Sequence, residues 1–254
     1  MSAKKRESLS PAVNSAADIL DLLADAGEPM SGAEIARRID RAKSTSSNIL
    51  AALEQSGLLE RTGNEYQLGR KLVELGGAYL AQTDLVSEFH RLCGELPVAS
   101  KETLSLSSLQ GEEILYLAHH NGSQPVRWFA NVGARLPAVA TAMGITMLAS
   151  LSKVEYEDFI ASDVDYPTDT KFAYSTAAEL TIAVDRARSD GYAIGDQLNT
   201  LGLCSLARPV VSRFDSRRLA VGVTMLSARR DPELEHALLE DLHTLAEALP
   251  PATD

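Results

Sequence analysis

Ser44, Thr45, Ser46, Ser47 and Asn48 form a run of short polar side chains, directly preceded by a basic turn. In that turn Arg37, Arg38, Arg41 and Lys43 fall within seven residues whose only acid is Asp40. At the start of a helix such a run combines two kinds of recognition. Free backbone amides and the positive end of the helix dipole attract phosphate. Short side chains let the helix enter a groove closely, and Asn48 can pair in bidentate fashion with an adenine edge. The plainer alternative is a solvated helix start, since Ser and Thr favour such positions on any helix.

The other reactive residue types are arranged less productively. His119 and His120 are adjacent, and neighbouring residues on a strand face opposite ways. His236 and His243 share a helix face, but no Cys, Asp or Glu pattern completes a zinc site around them. Cys93 and Cys204 are too few for a disulfide framework. Ser150-x-x-Lys153 matches a hydrolase dyad by spacing alone, with the lysine in a helix-capping segment. No Gly-x-Ser-x-Gly elbow and no phosphate-cradling glycine loop occurs. Catalysis, a metal and a cofactor are therefore not expected.

The elements that position the polar run read clearly. Ser10-Pro11 starts a helix carrying Val13, Ala16, Ile19, Leu20 and Leu23 at helical spacing, stopped at Gly27-Glu28-Pro29. Ser31-Gly32-Ala33-Glu34 has the form of a capping box, opening a short helix with Ile35, Ala36 and Ile39 inward. Asp40 to Lys43 makes a tight connection. A third helix starts at Ser44 or Thr45 and carries Ile49, Leu50 and Leu53 to Gly57. Leu58 to Arg61 and Tyr66 to Leu68 flank the turn Thr62-Gly63-Asn64-Glu65, a hairpin that brings Arg61 to a wing. Three helices and a hairpin make a winged helix-turn-helix over residues 9–69. Residues 70–83 read as an amphipathic helix with Leu72, Leu75, Gly76, Tyr79 and Leu80 on one stripe, favoured as a dimer interface over packing on its own domain.

Residues 84–254 form the second domain. Leu85, Phe89, Leu92 and Leu96 mark a helix ended by Pro97. Extended segments follow at Thr103–Leu109, Glu113–Ala118, Val126–Ala130, Ala193–Gly195, Ser205–Val211 and Leu219–Leu226, the last two joined near Phe214-Asp215-Ser216. Helices are expected over Thr141–Leu151, after Ser152-x-x-Glu155 and Thr176-x-x-Glu179, and from Asp231-Pro232 to Leu249. Hairpin turns dominate, so the domain is α+β with an antiparallel sheet.

Charge separates the two parts. The 254-residue chain carries a net −11, an unpromising value for a nucleic-acid binder. Residues 1–83 hold ten Lys/Arg against eleven Asp/Glu, whereas residues 84–254 hold fourteen against twenty-four. The acidity belongs to the second part, and local basicity on the small domain is compatible with DNA. No secretory signal follows the Lys4-Lys5-Arg6 cluster. The longest uncharged stretch, Leu136 to Ser152, falls just short of a membrane span and is diluted by polar residues. A cytoplasmic protein with no membrane partner is expected.

In order and spacing the chain resembles the IclR-type bacterial transcription regulators. The resemblance is carried by Glu34-Ile35-Ala36-Arg37-Arg38, Lys43-Ser44-Thr45, Leu50–Leu53 with Gly57, and Tyr66-Gln67-Leu68-Gly69. In the second domain it is carried by Val132-Gly133-Ala134-Arg135-Leu136-Pro137, Ala140-Thr141-Ala142-Met143-Gly144, Gly191-Tyr192-Ala193 and Ala207-Arg208-Pro209-Val210. The resemblance implies a winged helix-turn-helix, a linker helix and a GAF-like effector domain for a small metabolite. It also implies homodimers, often tetramers, acting at double-stranded operators, with reading helices spaced by roughly 34 Å or a multiple of it.

Residues expected at DNA are Arg37, Arg41, Lys43, Ser44, Thr45, Ser46, Ser47, Asn48 and Arg61. Those expected at the effector are Ala142, Met143, Gly195, Asp196, Ser205, Thr224 and Leu226. The chain departs from the family pattern in several places. Asn48 stands where the family usually has arginine, Ile145 follows Gly144 in place of lysine, and Asp196-Gln197 replaces an acidic pair. Ser205 takes the place of the usual pocket cysteine. Thr224 and Leu226 take the places of two pocket serines, which suggests an effector larger or more apolar than a two- or three-carbon keto acid. The expected function is operator binding, more as repressor than activator, modulated by a small organic acid. The alternative is a GAF-like binding protein that uses its helix-turn-helix for protein contacts.

Overall fold

The computed structural model describes residues 10–81, 85–124, 131–162, 164–167, 169–210 and 218–249. The strand expected at Val126–Ala130 and the junction at Phe214–Ser216 lie outside these. Contacts divide the chain into two units, Met1–Gln82 and Thr83–Asp254.

The first unit begins with α1 (Pro11–Ala26), which has proline in its first turn and stops at Gly27 in the left-handed conformation (φ 65°). Ser10 precedes α1, but its hydroxyl makes no capping bond. β1 (Met30–Ser31) leads into α2 (Gly32–Arg38) and α3 (Lys43–Gln55). The capping box at Ser31 is half made. Ser31 Oγ accepts from the Glu34 amide at 3.3 Å, while the Glu34 carboxylate turns outward to Arg38 at 2.9 Å. β2 (Leu59–Thr62) and β3 (Glu65–Leu68) form the hairpin, with Gly63 supplying the positive φ its turn requires. β1 joins them in the order β1-β3-β2, a short strand that the sequence pattern did not disclose. Ile19, Leu23, Ile35, Leu50, Leu53, Leu59 and Tyr66 make the core. Truncating Leu50 to alanine removes a fully enclosed side chain and costs about 2–5 kcal/mol. α4 (Lys71–Ala81) completes the unit.

The second unit contains α5 (Leu85–Glu95), β4 (Thr103–Gln110), β5 (Glu113–Asn121), β6 (Arg135–Pro137), α6 (Ala142–Ala149), α7 (Lys153–Ala161), α8 (Ala177–Asp190), β7 (Ala193–Asp196), β8 (Leu203–Val210), β9 (Leu219–Leu226) and α9 (Pro232–Ala248). Its sheet is antiparallel throughout, in the order β6-β5-β4-β9-β8-β7. Strand alternation divides the side chains between two faces. Leu104, Leu106, Leu206, Val221 and Val223 pack with Phe89 of α5 and Leu238, Leu242 and Leu245 of α9. Ile114, Tyr116, Ala207 and Ala220 pack with α6 and α8. Asp241 of α9 also accepts from the amides of Val98 and Ala99 at 2.8 and 2.7 Å, tying the chain ahead of β4 to the last helix. Ser152 and Glu155 make a complete capping box. At α8 Thr176 caps the Glu179 amide, but the Glu179 carboxylate accepts from Ser175 instead.

Candidate functional site

The chain between α2 and α3 turns through Asp40, held in the left-handed region at φ 52°, where the Asp40 and Arg41 amides close back on Arg37 and Ala36. Arg41 also donates from Nε to Ser15 Oγ of α1 at 3.0 Å. That bond anchors the basic turn to the buried side of the domain while Arg41 remains exposed. α3 starts one residue earlier than the Ser/Thr pattern suggests. Ala42 stands at the cap and has no side chain to satisfy the first amides. The amides of the first turn, beside Lys43, are thereby without a side-chain cap.

Ser44, Thr45, Ser47 and Asn48 are exposed on α3, and Ser44, Ser47, Asn48, Ala51 and Gln55 follow one outward stripe at helical spacing. Ala51 and Gln55 lie beyond the polar run and carry no charge or cap that singles them out in the sequence. Their place on the stripe was available from the spacing alone. Ser46 requires a correction. It is 1% exposed and points into the core beside Ile49 and Leu50, with its hydroxyl donating to Ala42 O at 3.2 Å. It supports α3 and has no exposed surface with which to touch a base. Arg37 is exposed on α2, and Arg61 lies on β2, donating to Gly63 O at 2.9 Å and lying over the Tyr66 ring.

In the second unit, a cavity lies where the start of α6 meets the sheet. Ala142, Met143, Gly195, Ser205 and Thr224 line it, joined by Tyr116, Thr141, Leu198, Asn199, Thr200, Leu203 and Gly222 among others. Its free space is about 30 Å³, enough to hold a water molecule. Two glycines allow the helix this near the strands. A Cβ on Gly222 would come within 2.9 Å of Met143, and one on Gly195 within 3.4 Å of the Ala142 amide nitrogen. Thr141 caps α6 by accepting from Gly144 N at 2.9 Å. The Ala142 and Met143 amides have no such partner among the described residues. Ser205 and Thr224 sit opposite each other on β8 and β9, their hydroxyls 2.9 Å apart. None of the lining residues is charged. Two amides at a helix N-terminus, a hydroxyl pair and no carboxylate make an environment suited to a small anion.

Two expected effector residues are elsewhere. Asp196 follows Gly195 on β7, so its side chain takes the opposite direction, where it pairs with Ser227 and with Arg230 at 3.1 Å. Leu226 ends β9 at 36% exposure and does not line the cavity. Leu226 therefore does not make the cavity larger or more apolar, and a larger effector is not implied. Gly222 and Tyr116 were missed because only strand pairing brings them to the helix start.

The histidines do not combine. His119 Nδ1 lies 2.8 Å from Ser105 Oγ, and no cluster of metal-ligating side chains occurs among the described residues. Burial in the core pushes the thiols of Cys93 and Cys204 up to about 12, the opposite of an activated nucleophile. No helix among the described residues is long and apolar enough to cross a membrane.

Comparisons with known proteins agree with both halves of this arrangement. The model of the IclR helix-turn-helix domain matches residues 12–63, and that of the C-terminal domain of bacterial IclR transcriptional regulators matches residues 77–250. The chain is 30% identical over 241 residues to the glycerol operon regulatory protein of Streptomyces coelicolor, covering 92% of each chain. An IclR transcriptional regulator from Alicyclobacillus acidocaldarius shares the fold with a TM-score of 0.83 at 20% identity, covering 95% of this chain and 98% of that one. An IclR homolog from Microbacterium hydrocarbonoxydans, complexed with 4-hydroxybenzoate, superposes with a TM-score of 0.77 at 19% identity over 94% and 98% of the two chains. These matches describe transcriptional regulators with a DNA-binding helix-turn-helix and a C-terminal ligand-binding domain, not enzymes. The chain belongs to the IclR family of bacterial transcriptional regulators.

Proposed function

We propose that this regulator is a repressor whose hold on its operator is set by a compact carboxylic acid bound at the start of α6. The observation that carries the reading is the uncharged cavity lined by Ala142 and Met143 at the start of α6 and by the Ser205–Thr224 hydroxyl pair. Support of a coarser kind comes from the Microbacterium homolog, whose ligand is itself a carboxylic acid. Ala142 and Met143 form one wall of the cavity and the strands another, so an acid seated there touches α6 and the sheet together. Met143 and Leu198 are the side chains nearest the glycines that let α6 approach. Binding therefore favours a second arrangement of α6 against the sheet, the differential interaction that an effector needs.

At DNA, α3 enters the major groove with Ser44, Ser47 and Asn48, while Lys43, Arg37, Arg41 and Arg61 contact phosphates. α4 supplies the dimer contact. Val73, Leu75 and Tyr79 are 77%, 50% and 49% exposed, and neither Gly76 nor Gly77 has a neighbour within 4 Å of an added Cβ. As a bacterial regulator acting on the genome, the protein works in the cytoplasm.

Calorimetric titration with glyoxylate, pyruvate and 4-hydroxybenzoate, alongside operator binding by fluorescence anisotropy, tests the effector reading. Thr224→Phe is expected to abolish acid binding and acid-dependent release while leaving basal operator affinity intact. No heat from any acid, or an unchanged acid response in Thr224→Phe, would overturn it.

A further inference from the structure

α3 turns Ser46, Ile49, Leu50 and Leu53 inward. At about 100° per residue, the direction opposite that face falls among Ser44, Asn48, Ala51 and Gln55, each within about 30° of it. All four are exposed. Thr45 and Glu54 lie roughly a quarter turn to either side, and Lys43 is farther round still. The middle of the outward face is thus a hydroxyl, an amide, a methyl group and a second amide. The Asn48 and Gln55 side chains form no hydrogen bond with any described residue, so their donors and acceptors remain open.

The cations of the turn and the wing stand off this stripe. Arg37 and Arg38 both lean on Glu34, Arg38 at 2.9 Å. Arg41 is tied through Nε to Ser15, and Arg61 to the Gly63 carbonyl and the Tyr66 ring. Arg70 pairs with Glu60 at 3.4 Å. From Ser44 to Gln55 the helix carries no Arg or Lys. Positive charge gathers on the flanks of the domain, and the helix face between them is neutral.

We infer that α3 reads neighbouring A·T base pairs, with Asn48 taking the adenine and Ala51 the methyl group of a thymine one step along. The inference rests on the operator reading proposed above and names the base pairs that the operator presents to the helix. In the major groove guanine offers two acceptors, O6 and N7, which the donors of arginine or lysine meet best. The stripe has neither. Adenine offers one acceptor and one donor, N7 and N6, and an asparagine amide matches both in one planar pair. Thymine is marked by its C5 methyl, against which a small apolar side chain packs. Ala51 lies three residues beyond Asn48, a rise of about 4.5 Å along the helix. That is close to the ~3.4 Å step between base pairs. A long side chain at position 51 would hold Asn48 away from the bases, and a methyl group does not. Glu54, which could accept from a cytosine, lies off the stripe and toward the end of α3, whereas the first half of a reading helix meets the base edges.

The full chain is used to select duplexes from a random pool. Neighbouring A·T pairs are expected at the same two positions of each half-site. Single-atom changes in the selected duplex then test the two contacts. Uracil in place of the thymine deletes the methyl group and should weaken wild-type binding about fourfold, with no further loss in Ala51→Gly. 7-Deazaadenine in place of the adenine deletes N7 and should weaken wild-type binding by about fivefold or more, again with no further loss in Asn48→Ala. The Asn48 comparison stands by itself should glycine at position 51 loosen α3. Selected duplexes with G·C pairs at these positions would overturn the inference and leave the regulator reading in place. So would equal losses in wild type and variant. A pool from which no sequence is enriched would remove the operator reading, and the inference with it.

Discussion

Ser46 and Ser47 are adjacent, identical in type and opposite in role. One helical step of 100° turns Ser46 beneath the helix, where its hydroxyl bonds to Ala42 O, and leaves Ser47 on the exposed face. Composition made the run look uniform, while helical phase divides it. Ser46→Ala is expected to cost at most about 1 kcal/mol in urea unfolding and to leave operator affinity unchanged. Asn48→Ala should instead cost about 1–3 kcal/mol of discrimination against a mismatched base, read by competition between operator variants in an anisotropy assay. The two thiols give a second prediction at this scale. Burial raises Cys93 and Cys204 from 9 to about 12, so the folded state favours the protonated form. Their contribution to stability is complete below pH 9 and is lost as pH rises toward 12, because the unfolded thiols ionise first. Denaturant midpoints should fall across that interval, and less steeply in Cys93→Ala, which retains only one of the two groups.

Among the elements, helix starts were legible and their details were not. Ser31, Thr141, Ser152 and Thr176 all accept the capping bond their positions imply. Only Ser152 gains the reciprocal carboxylate, since Glu34 finds Arg38 and Glu179 finds Ser175. A cap depends on local backbone, whereas the third-position carboxylate is free to choose a competing donor. Thr141→Ala removes the cap of α6 and is expected to cost about 1 kcal/mol of stability. It should also weaken acid binding, because the same turn presents the Ala142 and Met143 amides. On α4, Leu75→Glu should shift the chain toward the monomer in sedimentation and lower operator affinity. Unchanged assembly in that variant would assign α4 to some other contact.

For the whole molecule, the charge segregation predicts a steep salt dependence of operator binding despite the net −11. The proposed phosphate contacts lie on a domain whose own balance is near zero, and each one made would release a counterion. Affinity should fall by orders of magnitude between 50 and 200 mM salt; a flat response would favour protein contacts for the helix-turn-helix. The residue order makes the helices, the hairpin, the basic turn and the change in charge between domains legible, because periodicity, caps and turns act over a few residues. It also placed Ala142, Met143, Ser205 and Thr224 in the effector domain through an ordered set of family motifs. The folded sheet brings Tyr116, Gly195, Ser205 and Thr224, from four different strands, to the start of α6, and leaves Asp196 and Leu226 out. Alternation along a strand says which residues share a face. Which strands lie side by side, and where a helix end meets them, follows from the order β6-β5-β4-β9-β8-β7, set by packing between segments more than a hundred residues apart.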